Sequence, residues 1–142
     1  MIIGIRHFGI VVDNLKKSLD FYQNILGFEL VVTADEDTAF IDSILALKSS
    51  KLKTYKLKDP HGNIVELLDF GEQTMPSDNK ITSTGPTHIA LTVKNIEETF
   101  NYMKSRGIHF ISPPLLSSDG FAKVAFCKAP EGTYIEIVEV FK

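Results

Sequence analysis

An α+β fold is predicted: two βαβββ-type modules that form a cupped mixed β-sheet with flanking helices. Three observations predict it. The chain repeats itself, each copy runs strand then helix then strands, and each copy closes on a hairpin with the same turn chemistry. Residues 5–30 read IRHFGIVVDNLKKSLDFYQNILGFEL and residues 86–110 read PTHIALTVKNIEETFNYMKSRGIHF. His7 aligns with His88, Val12 with Val93, Asn14 with Asn95, Leu15 with Ile96, Phe21 with Tyr102, and Gly27 with Gly107 after one gap. The endings match too: DPHGNIVELL (59–68) against APEGTYIEIV (129–138) pairs Pro60, Gly62 and Glu66 with Pro130, Gly132 and Glu136.

The elements follow in order. Ile3 to Val12 is rich in β-branched residues and reads as a strand. Asp13 or Asn14 can cap a helix whose apolar face is Leu15, Leu19, Phe21, Tyr22, Ile25 and Leu26. Gly27 stands where a left-handed helix end belongs. Phe28 to Thr33 returns as a strand, and Phe40, Ile41, Ile44, Leu45 and Leu47 space a short helix. Leu52–Lys58 and Asn63–Phe70 form a hairpin around Asp59-Pro60-His61-Gly62. The second copy runs strand (Thr87–Val93), helix (Ile96–Arg106), strand (Ile108–Ile111) and hairpin (Phe121–Lys128 with Tyr134–Val140). Residues 1–70 are thus a first module, 71–85 a polar Pro- and Gly-containing linker, and 86–142 a second module. Ser112–Gly120 reads as a second loop, placed where it could border a site.

Composition narrows the classes of function. The 142 residues carry a net charge of −3, and 44% are hydrophobic, which suits a domain with a sizeable core. An acidic balance with scattered lysines and no arginine cluster argues against a nucleic-acid partner. No run of about 18 apolar residues is present, so no membrane helix is expected. The single cysteine, Cys127, can form no internal disulfide, and the N-terminus lacks a signal-peptide pattern; a cytoplasmic protein is expected.

The chemistry is carried by His7, Glu66, His88 and Glu136. Strand side chains alternate between faces, so His7 shares a face with Gly9, His88 with Ala90, Glu66 with Ile64 and Leu68, and Glu136 with Tyr134 and Val138. Each polar residue interrupts an apolar row, where an unpaired buried carboxylate costs several kcal/mol. Two neutral imidazoles and two carboxylates sum to −2, the charge one divalent cation balances. This donor set suits Zn, Ni, Co, Fe or Mn. Gly9 and Ala90 leave room beside such an ion. One histidine in a strand is ordinarily a hydrogen-bonded core or edge residue; one opening each repeat, with one Glu closing each, points to a metal site. Glu139 and Asp69 read as solvent-facing, His61 and His109 as surface residues, Cys127 as a small core hydrophobe, and Phe21, Tyr22 and Tyr102 as core.

These residues resemble the vicinal oxygen chelate superfamily (glyoxalase, bleomycin resistance and dioxygenase proteins). The resemblance rests on HFGIVVDNL, DPHGNIVEL, HIALTVKNI and PEGTYIEI and covers nearly the whole chain, which would be one domain of that type. The metal set is closest to glyoxalase I-like lyases and methylmalonyl-CoA epimerase-like proteins, which take one ligand from each of four places; here these carry His7, Glu66, His88 and Glu136. The resemblance implies a metal-dependent lyase or isomerase that abstracts a proton next to a chelated carbonyl of a small oxygenated substrate. Glu136, or else Glu66, would be the base. It also implies a homodimer, in which the ligands of one site come from one chain or from two. An Fe(II) extradiol-type dioxygenase, matching His7, His88 and Glu136, is the alternative, as is a non-catalytic binder of a drug or metabolite. The helical segment between Thr33 and Leu52 departs from typical glyoxalase I, and its glutathione-contacting residues have no match here.

Overall fold

The computed structural model describes residues 1–141. It separates into two compact units, Met1–Pro76 and a second that begins at Ser77. Each has a four-stranded mixed sheet.

The first unit contains β1 (Phe8–Val11), a helix α1 (Leu15–Leu19) that continues as a π-helical turn (Asp20–Ile25), β2 (Glu29–Asp35), α2 (Thr38–Leu45), β3 (Lys53–Lys58) and β4 (Ile64–Asp69). Its strand order is β1-β4-β3-β2, with β1 parallel to β4 and the other pairs antiparallel. Helix α1 starts where its cap chemistry places it: the Asn14 side chain accepts a hydrogen bond from the Lys17 N–H at 3.1 Å. Gly27 leaves the helix at φ 80°, a conformation an L side chain resists. Alternation then divides the sheet. Leu57 and Leu67 are fully buried and Val65 nearly so, packed in the core with Val12, Phe21 and Tyr22, while Lys56, Glu66 and Leu68 occupy the other face.

The second unit repeats the plan with β5 (His88–Thr92), α3 (Ile96–Ser105), β6 (Leu115–Leu116), β7 (Ala122–Lys128) and β8 (Tyr134–Val140), in the order β5-β8-β7-β6. Its core is Ile96, Met103, Ala125, Cys127, Ile135 and Ile137. The Asn95 side chain accepts from the Glu98 N–H at 3.0 Å, the counterpart of the Asn14 cap.

Several expectations are corrected. The strand expected from Ile3 begins only at Phe8, because β4 offers ladder partners from Val65 to Leu68 and, among the described residues, β1 pairs with no other strand; Met1, Ile2, Ile3 and Ile5 are exposed. Ile108–Ile111 is not a strand: a single bridge joins Phe110 to Cys127, and the paired segment lies further on, at Leu115–Leu116 inside the expected loop. Tyr102 is 44% exposed, not core. The π-helical turn of the first unit brings the consecutive residues Phe21 and Tyr22 onto the buried side, whereas α3 is regular and buries only Met103 there. Glu139 does not simply face solvent: its Oε2 accepts from the Ile96 N–H at 2.8 Å and caps α3. Asp69, half-buried, accepts from the Gly71 N–H.

Candidate metal centre

In the first unit the parallel register of β1 and β4 sets Gly9 opposite Glu66. His7, one step before β1, therefore falls on the Glu66 face. Its Nε2 lies 3.4 Å from Glu66 Oε1, with the imidazole 30% and the carboxylate 12% exposed. The second unit reproduces this arrangement. Ala90 is opposite Glu136, His88 opens β5, and His88 Nε2 lies 3.3 Å from Glu136 Oε2. The structure thus joins His7 to Glu66 and His88 to Glu136. Among the described residues, no group of three or more His, Cys, Asp or Glu gathers as a metal site.

Each pair fits a shared cation. Donors about 2.0–2.2 Å from one ion stand about 3.0–3.4 Å apart, the separations seen in both pairs. One imidazole nitrogen and one carboxylate oxygen per pair is also the donor chemistry of a divalent transition metal.

The surroundings of the pairs differ. Opposite Glu66 in β3 stands Lys56, its Nζ 3.9 Å from Glu66 Oε2. Opposite Glu136 in β7 stands Phe126, whose ring meets His88 edge-on at 5.7 Å. Thr87 Oγ1 lies 3.3 Å from His88 Nδ1 and can orient that ring, with donor and acceptor set by the tautomer. The reading of the sequence missed Lys56, Phe126 and Thr87 as site neighbours. Counting back from the Asp59–Asn63 turn would have found Lys56, since Lys58 pairs with Ile64 and Lys56 with Glu66.

Gly9 does not simply leave space. A Cβ there would stand 3.3 Å from Leu68 Cδ1, so Leu68 uses that room. His61 and His109 are exposed, as expected. Cys127 is fully buried, and burial pushes its thiol up to about 11.

The chain belongs to the Glyoxalase/Bleomycin resistance protein/Dioxygenase superfamily, whose family profile matches residues 4–137. It is similar to lactoylglutathione lyase of Schizosaccharomyces pombe, at 30% identity over 142 residues, covering 94% of this chain and 46% of that protein. The chain therefore spans about half the length of that relative. It is 27% identical over 128 residues to lactoylglutathione lyase of Neisseria meningitidis serogroup A, covering 90% of this chain and 84% of that one. Its fold matches that of a glyoxalase family protein from Bacillus cereus with a TM-score of 0.88 at 18% identity, covering 100% and 97% of the two chains. The superfamily is rich in enzymes acting on small molecules. Among the described residues, no helix is long and apolar enough to cross a membrane.

Proposed function

We propose that the chain is a metal-dependent lyase or isomerase of the glyoxalase I and epimerase kind, with His7, Glu66, His88 and Glu136 as ligands of one divalent ion. The observation that carries this reading is the recurrence of a His–Glu pair, at 3.4 Å and 3.3 Å, at matched strand positions of both units. A lone His–Glu contact is an ordinary surface pair. Two at equivalent registers are what a duplicated ligand set leaves. Residues 1–70 and 86–142 are taken as two modules of one catalytic domain joined by 71–85. The working form is a cytoplasmic homodimer acting on a small molecule, with neither nucleic acid nor membrane as partner.

When bound, Zn, Ni, Co, Fe or Mn would supply Lewis-acid polarisation of a substrate carbonyl. The protein's own residues do the rest. His7 and His88 present Nε2 toward the carboxylates and hold the donor geometry. Glu66, beside His7, stays in place as a ligand. Glu136 takes the proton from the carbon beside the carbonyl and returns it, either to the neighbouring carbon or to the opposite side of the same one.

The test does not require the natural substrate. Hydroxyacetone has adjacent hydroxyl and carbonyl oxygens, and its C–H exchange in D2O can be followed by NMR. The metal-loaded protein is expected to catalyse exchange, and Glu136→Gln to slow it by about 10²–10⁴-fold while probe binding changes far less. Full exchange in that variant would remove Glu136 from the role of base.

An iron-dependent dioxygenase is a second reading. It is favoured by the subset His7, His88 and Glu136, the two-histidine, one-carboxylate composition of non-haem iron sites. Oxygen consumption with Fe(II) would support it, and anaerobic exchange with Ni or Zn would exclude it. A protein that takes up no metal under any loading condition would instead be a non-catalytic binder.

A further inference from the structure

On the face that carries the pairs, the residue opposite the carboxylate differs between the units: Lys56 stands opposite Glu66 and Phe126 opposite Glu136. We propose that Lys56 is a substrate-binding, specificity-determining residue whose ammonium receives a carboxylate of the substrate, making 2-hydroxy and 2-oxo carboxylates the preferred class. This rests on the reading of the His–Glu pairs as a metal centre.

Three observations lead there. First, the ammonium is kept near the pair. The Lys56 side chain is 29% exposed, whereas Lys53 and Lys58 on the same strand are 59% and 44% exposed. A lysine free to choose extends its charge into water. Second, the ammonium is not saturated. Its partner, Glu66 Oε2, lies 3.9 Å away, beyond the roughly 2.7–2.9 Å of a charge-assisted hydrogen bond. Among the described residues, no protein acceptor lies within hydrogen-bond distance of Lys56 Nζ. Three donors are thus available beside a ligand carboxylate. Third, the scaffold does not need the cation. Phe126 holds the equivalent position in the second unit, and the His88–Glu136 pair there has the same geometry. Lys56 is therefore not a general requirement for placing a His–Glu pair.

Charge gives the same answer. Glu66 and Glu136 contribute −2, a divalent ion +2 and Lys56 +1. The residual +1 matches a monoanion, so a carboxylate joins an environment it neutralises and a neutral diketone or ketol does not. A single charge-assisted hydrogen bond is worth about ten- to a hundredfold in affinity.

The experiment uses Co(II)-loaded full chain. L-lactate and hydroxyacetone, which share adjacent oxygens and differ in charge, are titrated by calorimetry and by the visible Co(II) absorption, with metal content measured on each sample. In Lys56→Met, lactate affinity is expected to fall at least about tenfold, with hydroxyacetone affinity within twofold and one metal per chain retained. Lys56→Gln carries the same test if the Met variant loses its fold by circular dichroism. Unchanged lactate affinity, equal loss for both probes, or wild-type protein that binds no lactate would each overturn the role of Lys56 while leaving the metal reading intact. Wild-type protein that takes up no Co(II) would overturn both.

Discussion

Cys127 shows how position sets the chemistry of a side chain. It lies in β7 between Phe126 and Lys128, faces the core, and its Sγ is removed from water. Burial disfavours the thiolate, which pushes the thiol from 9.0 to about 11. The native state therefore resists ionisation. The stability this contributes is complete below pH 9 and is lost as pH rises through about 11. At pH 8 the native protein is expected to leave a disulfide reagent unreacted and to yield one thiol per chain in denaturant, read by absorbance; rapid native reaction would show the site to be open. Burial as a small hydrophobe was legible from the alternation of β7. The partners of the pairs were not. Lys56 and Phe126 are ordinary strand residues until the register with β4 and β8 is known.

One carboxylate braces the turn of the β3–β4 hairpin, beside the backbone hydrogen bonds from the Asp59 N–H to the Asn63 carbonyl and from the Gly62 N–H to the Asp59 carbonyl. Asp59 Oδ1 accepts from the N–H groups of His61 and Asn63 at 2.9 Å and 2.8 Å, and Oδ2 accepts from Asn63 Nδ2 at 2.8 Å. Partial desolvation pushes Asp59 up. The Asn63 and His61 hydrogen bonds outweigh it and hold the carboxyl below its ordinary 3.8. Its contribution is therefore present above about pH 4 and is lost as pH falls through the lowered value. Asp59→Ala is expected to cost about 1–2 kcal/mol at pH 7 in urea unfolding, with the gap from wild type closing toward pH 2. The second hairpin has Ala129 in that place. There Asn79 Nδ2 donates to the Glu131 carbonyl, and a Cβ on Gly132 would stand 2.5 Å from Asn79 Nδ2. Helix α3 has two caps, one local and one distant. Asn95→Ala is expected to cost about 1 kcal/mol, as is Glu139→Gln, which weakens the hydrogen bond to Ile96 and removes a negative charge from the helix start. Urea unfolding measures both. The Asn95 cap could be read from sequence because it acts over three residues. The Glu139 cap could not, because it arrives from β8.

Metal uptake joins the candidate centre to the stability of the chain. A ligand that binds only the folded protein stabilises it by about 2.7 kcal/mol at a hundred times its Kd. For a chain of this size, that is a rise in Tm of about 5–10 °C. Melting curves with Zn, Ni, Co or Mn are expected to show such a shift, reversed by a chelator and lost in His7→Ala. An unchanged Tm at saturating metal would count against the four-ligand reading.

The sequence by itself determined the duplication, a helix cap at Asp13 or Asn14, the hairpin turns, and the choice of His7, Glu66, His88 and Glu136 as the residues to examine. These are written in spacings of a few residues, over which turn chemistry, capping and strand alternation act without help from the rest of the chain. Only the tertiary structure decided that β1 begins at Phe8, that Phe110 makes one bridge and no strand, that Leu68 takes the space beside Gly9, and that Lys56 faces one pair while Phe126 faces the other. Those outcomes depend on which strand lies alongside and in what register. Ladder hydrogen bonds and packing between residues far apart in the chain set that register, and local preference does not encode it.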